Sequence, residues 1–133
     1  MAHAGDTYTI TLMESHLDWG SYRHTDSRGF VYGEGYIPIP ADVAYEFHLL
    51  NRNGTKKKDI WGLNLFNCIS ADGEFSGVLR SQGNQSDPNY GKQFAGDKNL
   101  KALGDWFYAI GASVGDEIKV TWTSDTDIII EKL

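Results

Sequence analysis

The chain has 133 residues with 12 Lys and Arg against 18 Asp and Glu, a formal net charge of -6. With 41% apolar and 13% aromatic residues it can offset the entropy of ordering, which excludes intrinsic disorder, and its length suits one domain spanning 1–133. The single Cys68 excludes an intrachain disulfide and points to a reducing compartment, and no apolar run approaches the ~20 residues of a membrane span.

Residues 1–5 carry none of the regions of a signal peptide, so a cytoplasmic protein away from membranes is expected. Residues 8–12 alternate and are β-branched, which predicts a strand. Residues 35–40 are extended, but Pro38 and Pro40 remove ladder donors and assign the segment to a sheet edge. A short helical turn is expected over 41–50. Residues 61–69 and 74–80, joined by Asp72-Gly73, give the strongest hairpin signal in the chain. Leu103, Trp106, Phe107 and Ile110 recur at helical spacing and predict a short amphipathic helix over 100–110, ending at Gly111. Strands follow at 117–122 and 127–132. The sum is six or seven strands with one or two short helices. Two polar segments, 21–33 and 81–91, are too long for tight turns, and ordering segments of that size without a use is costly.

Catalytic patterns are sparse. His3, His16, His24 and His48 have no metal-ligand spacing, and no phosphate-binding loop occurs, so no metal and no cofactor are expected. Glu117 and Lys119 match half of a nuclease metal motif, but strand alternation also explains them. Cys68 stands between apolar strand positions and reads as a buried, inert thiol. Recognition side chains are more abundant. One polar segment carries Ser21, Arg23, His24, Thr25, Ser27 and Arg28; the other carries Arg80, Ser81, Gln82, Asn84, Gln85, Asn89, Tyr90 and Lys92. Arg pairs bidentately with guanine and Asn or Gln with adenine in the major groove, while Lys, Ser and Thr suit phosphates; Asn and Gln equally read sugars and peptides. Lys56, Lys57 and Lys58, beside Arg52, are either a further phosphate patch or a solvated turn. The charge is unevenly spread: residues 1–20 sum to -3, 102–133 to -4, and 21–101, which contain both polar segments, to +1.

Leu17-Asp18-Trp19-Gly20, Gly35-Tyr36-Ile37-Pro38-Ile39-Pro40, Arg80-Ser81-Gln82-Gly83, Tyr90-Gly91-Lys92, the run from Asn99 to Phe107 and Gly115-Asp116-Glu117-Ile118-Lys119-Val120 occur in an order that spans nearly the whole chain. Together they resemble the B3-like DNA-recognition domains of bacterial restriction endonucleases, which accompany a phospholipase-D-type nuclease and are similar to the EcoRII N-terminal domain and the plant B3 domain. The resemblance implies a mainly β fold, a seven-stranded open pseudobarrel with short helices, docking in the major groove of double-stranded DNA through two arms. The N-arm would fall on 21–32, with Arg23, His24 and Arg28 as readers. The C-arm would fall on 80–93, with Arg80, Gln82, Asn84 and Gln85 as readers and Tyr90 and Lys92 as a backbone anchor. No H-x-K pair of the phospholipase-D type occurs, so the resemblance implies binding without cutting, beside a nuclease domain or subunit elsewhere. Asp26 and Asp87 lie inside the arms, where phosphate would repel them unless they accept from cytosine N4 or brace a neighbouring Arg. A small β-barrel module for sugar or peptide is the alternative, motivated by four Trp, seven Tyr and net acidity.

Overall fold

A computed structural model describes residues 1–18 and 33–133. Seven strands form one sheet: β1 Thr7–Thr11, β2 Ile37–Pro38, β3 Leu65–Ser70, β4 Ser76–Gln82, β5 Gln93–Gly96, β6 Glu117–Trp122 and β7 Asp127–Lys132. Their order in the sheet is β1-β6-β7-β3-β4-β5-β2. All neighbours are antiparallel except β3 and β7, which run parallel with Cys68 opposite Ile128. The sheet curls into a nearly closed barrel. Its two outermost strands approach each other, and the Tyr8 hydroxyl donates to the Pro38 carbonyl at 3.1 Å across the gap.

The alternation that predicts the strands also fills the barrel. Tyr8 and Ile10 of β1, Ile118, Val120 and Trp122 of β6, and Ile128 and Ile130 of β7 point inward, while the threonines of β1 face out. Trp122, fully buried, is packed edge-on by Phe47 at 5.2 Å and Phe66 at 6.1 Å between ring centroids. Burial pushes the Tyr8 phenol up, with Cys68 adding to it, and pushes the Cys68 thiol up as well. Among the described residues three short helices lie outside the sheet: α1 Glu14–Leu17, α2 Ala41–Phe47 and α3 Ala102–Ala109. Pro40 precedes α2, and His48, left-handed at φ 55°, ends it. Among the described residues no helix is long and apolar enough to cross a membrane.

Helix α3 buries Leu103, Trp106 and Phe107, as its periodicity requires. Gly104 lets it sit directly on the chain at 33–35, because a Cβ there would collide with the Gly33 carbonyl. The structure departs furthest from the sequence reading at β3 and β5. β3 begins at Leu65 rather than 61: Gly62 has φ 87°, and the Ile60 carbonyl accepts from Leu63, Asn64 and Leu65, making a turn of 60–64. β5 had no counterpart in that reading. Its four residues are all buried, so no polar alternation marks it.

Candidate nucleic-acid interface

Strand β4 leads into the loop 83–92, and β5 leaves it. The segment after α2 comes alongside this loop. Leu50 bridges Tyr90, Asn51 N–H donates to the Asn89 carbonyl at 3.1 Å, and Gly91 N–H donates to the Leu49 carbonyl at 3.0 Å. Gly54 permits the approach, since a Cβ there would overlap the Asn89 carbonyl oxygen.

At the junction sits Asn51, only 5% exposed. Its Oδ1 accepts from the N–H of Asn53 at 2.9 Å and of Gly54 at 3.2 Å, an Asx turn. Its Nδ2 faces the carbonyls of Gly83, Pro88 at 2.8 Å and Tyr90 at 3.3 Å, and the Asn84 amide lies 2.9 Å away. From the other side, Gln85 Nε2 donates to Ile39 O at 2.7 Å and Gly91 O at 3.1 Å. Asp87 braces the tip by accepting from Asn89 N–H at 3.0 Å.

Beside this loop stands the turn of Arg52, Lys56, Lys57 and Lys58. Lys56 and Lys57 are left-handed, at φ 54° and 63°, and Thr55 Oγ1 donates to Lys58 O at 2.7 Å. Arg52 Nη2 donates to Lys57 O at 2.7 Å. All three lysine side chains are exposed. Lys92, also exposed, crosses over Gly83. The sequence alone leaves the place of the lysine run open; in the fold it adjoins the 83–92 loop.

Three of the C-arm residues are engaged or buried within the fold. The Arg80 side chain is 12% exposed, and its guanidinium donates to Asp97 Oδ1 through Nε and Nη2 at 2.9 and 2.7 Å and to Asp59 Oδ1 through Nη1 at 2.8 Å. The Arg80 hydrogen bond holds Asp59 below the usual carboxylate range, and the same bond raises Arg80 further. Ser81 is fully buried on the inward face of β4, its hydroxyl without a partner among the described residues and packed where a Cβ on Gly91 would collide with it. Gln85 spends its amide N–H groups on the carbonyls of Ile39 and Gly91. What remains outward is Gln82 and Tyr90, half-buried, with Asn84, Asn89 and Lys92 exposed. Arg52, Asn53, Arg80, Gln82 and Asn84 line a cleft of about 340 Å³. A second, of about 350 Å³, lies between His48, Tyr90, Lys56, Asp87 and Asn89, where Tyr45 and His48 both meet the Tyr90 ring edge to face.

Ser21, Arg23, His24, Thr25, Ser27 and Arg28, with the rest of the expected N-arm, lie outside the described residues. The chain that flanks them is placed. Tyr36 N–H donates to His16 O at 3.1 Å and Gly35 N–H to Leu100 O at 3.3 Å, while Ile39 N–H donates to Lys92 O at 2.8 Å. This stem and the 83–92 loop therefore attach at opposite ends of β5, roughly 10 Å apart at the usual strand rise. Burial lowers the His16 imidazole, whose Nδ1 accepts from Met13 N–H at 3.0 Å.

Asn51 is the residue that sequence reasoning missed. Its signal was Asn51-Arg52-Asn53-Gly54, an Asx-turn pattern beside the lysine run. Among the described residues no three His, Cys, Asp or Glu side chains cluster to hold a metal ion. Comparison with protein-family models, characterised proteins and solved structures gives no match.

Proposed function

We propose that this chain is a sequence-specific double-stranded DNA-binding domain that binds without cutting, in the manner of the restriction-enzyme recognition domains it resembles. The observation that carries the reading is the convergence of the exposed cations Lys56, Lys57, Lys58 and Lys92 with the outward amides Gln82 and Asn89 on one loop pair of a seven-stranded barrel. The lysines suit phosphate oxygens on either side of a groove, and the amides suit adenine edges. The ~10 Å between the two attachment points along β5 is close to the width of the major groove, about 12 Å. The interface has changed from the sequence expectation in one respect: on this side base reading rests on amides, with Arg80 as a brace behind them. Chemistry on DNA belongs to a nuclease domain or subunit outside this chain.

Selection of bound duplexes from a random pool, followed by salt titration of the enriched site, tests the proposal. The expected result is an enriched site whose log affinity falls with log salt by about 0.9 for each phosphate neutralised. A pool that enriches nothing at low salt overturns it. The aromatic cluster of Tyr45, His48 and Tyr90 beside Asp87 and Asn89 favours one second reading, a sugar- or peptide-binding module. That reading predicts salt-insensitive, saturable binding to a glycan or peptide array, abolished by Tyr90→Ala.

A further inference from the structure

The side chain with the most polar partners around this interface faces inward. Asn51 is buried, yet its two amide ends hold different pieces of chain: Oδ1 closes the turn that leads to the lysines, and Nδ2 gathers the carbonyls of Gly83, Pro88 and Tyr90. Within the loop itself the backbone supplies little: Gln85 N–H to Tyr90 O at 3.1 Å and Tyr90 N–H to Asp87 O at 3.2 Å. With its carbonyls turned in toward Asn51 and the Asn84 amide 2.9 Å from Asn51 Nδ2, the loop leaves the side chain of Asn89 at the surface.

We infer that Asn51 is the positioning residue of the reading loop, fixing the distance between the amides of 82–89 and the cationic turn of 52–58, so that discrimination among DNA sequences depends on a side chain buried behind the interface. The inference rests on the DNA reading above. Its physical ground is register. A phosphate contact fixes where the protein sits on the duplex, and an amide reads a base only if it is held at the matching distance from that contact. A loop tied to the turn by one buried amide keeps that distance; a loop released from it keeps its charge and loses its register.

Asn51→Asp isolates the effect. It keeps the shape and the acceptor for Asn53 and Gly54, and it replaces the donor facing three carbonyls with a repelling carboxylate oxygen. The expected result is a fall of about tenfold in the affinity ratio between the selected duplex and its single-base-pair variants, the equivalent of one lost base contact. The salt slope stays within about one phosphate of wild type, and amide exchange at 83–91 accelerates. Gly54→Ala, which pushes the turn off the Asn89 carbonyl with Asn51 intact, gives the same pattern and serves where Asn51→Asp does not fold. A merely structural role lowers affinity for every duplex alike or leaves the ratio unchanged while 83–91 opens; either result overturns the inference. A wild-type chain that enriches no duplex overturns the DNA reading itself and removes the basis of this one, whereas enrichment by wild type with an unchanged ratio in both variants overturns the inference alone.

Discussion

The turns at the two ends of β4, one of them the tip of its hairpin with β3, are closed in two different ways. At the tip, Asp72 accepts from Ser70 Oγ at 2.6 Å and Glu74 N–H at 2.8 Å, Ser70 Oγ accepts from Phe75 N–H at 2.8 Å, and Gly73 takes φ 81°. Its side-chain ties reach two to five residues along the chain, with one addition from afar, the Trp106 indole N–H at 3.1 Å. At the other end, Asn51 reaches 32 to 39 residues along the chain to hold the 83–90 loop. The tip spends its polar side chains on itself and carries a carboxylate. The loop takes its support from outside and keeps amides and lysines at the surface. A turn that only reverses the chain closes locally, whereas a loop with polar side chains to spare needs a distant clamp.

The difference can be broken by mutation, beginning with the clamp. Asn51→Ala leaves the Asn53 and Gly54 N–H groups and the gathered carbonyls without their partner, and it should lower stability in urea unfolding by about 2–4 kcal/mol. Gly54→Ala, by overpacking against Asn89, should cost about 1–3 kcal/mol in the same measurement. Asp72→Ala, at a locally closed and exposed turn, should cost only about 1 kcal/mol. If Asp72→Ala proves the costlier of Asn51→Ala and itself, the contrast between a local and a distant closure is wrong. Lys57→Gln should change stability by less than about 0.5 kcal/mol while reducing the salt slope of DNA binding by about 0.9.

Acid sharpens the same contrast. Desolvation opposes ionisation of Asp72, but hydrogen bonds from Ser70, the Glu74 N–H and Trp106 prevail and lower its pKa. Asp59 is lowered chiefly by the Arg80 hydrogen bond. A carboxyl depressed in the folded state contributes stability that is fully present above its unfolded pKa, about 3.9, and is lost as pH falls through the lower folded value. Stability should therefore hold to pH 4 and decline below it. Arg80→Gln should move the NMR titration of Asp59 up toward the ordinary carboxylate value and leave that of Asp72 in place; movement of both would show that the two ends are not independent.

Much of the barrel was legible because its signals are local. Residues 117–122 and 127–132 alternate between an inner apolar and an outer polar face, and the strands have those limits. Pro38 and Pro40 marked an edge, and β2 is the last strand of the sheet. β5 was hidden because burial on both faces erases alternation, and the start of β3 was hidden by a turn built on the side chain of Asn64, which accepts from Ile60 N–H at 2.8 Å. For the candidate site, residue type left open which side chains are exposed, as Asn84, Asn89 and Lys92 are, and which are buried or engaged within the fold, as Ser81, Arg80 and Gln85 are. Type says what a side chain can bond. It does not say whether Asp59 and Asp97, 21 and 17 residues away, have already taken its donors.

By itself, then, the sequence determined a β-rich chain, its turn at Asp72-Gly73, its short amphipathic helix ending at Gly111, and a near-neutral middle carrying polar loops between acidic ends. Those features depend on residue identity and on neighbours a few positions apart. Only the tertiary structure decided that the lysine turn and the 83–92 loop lie together, that Arg80 is a brace, and that Asn51 clamps the two. Each of these joins residues some 20 to 40 positions apart, and such pairings follow from how the sheet closes, which no local pattern encodes.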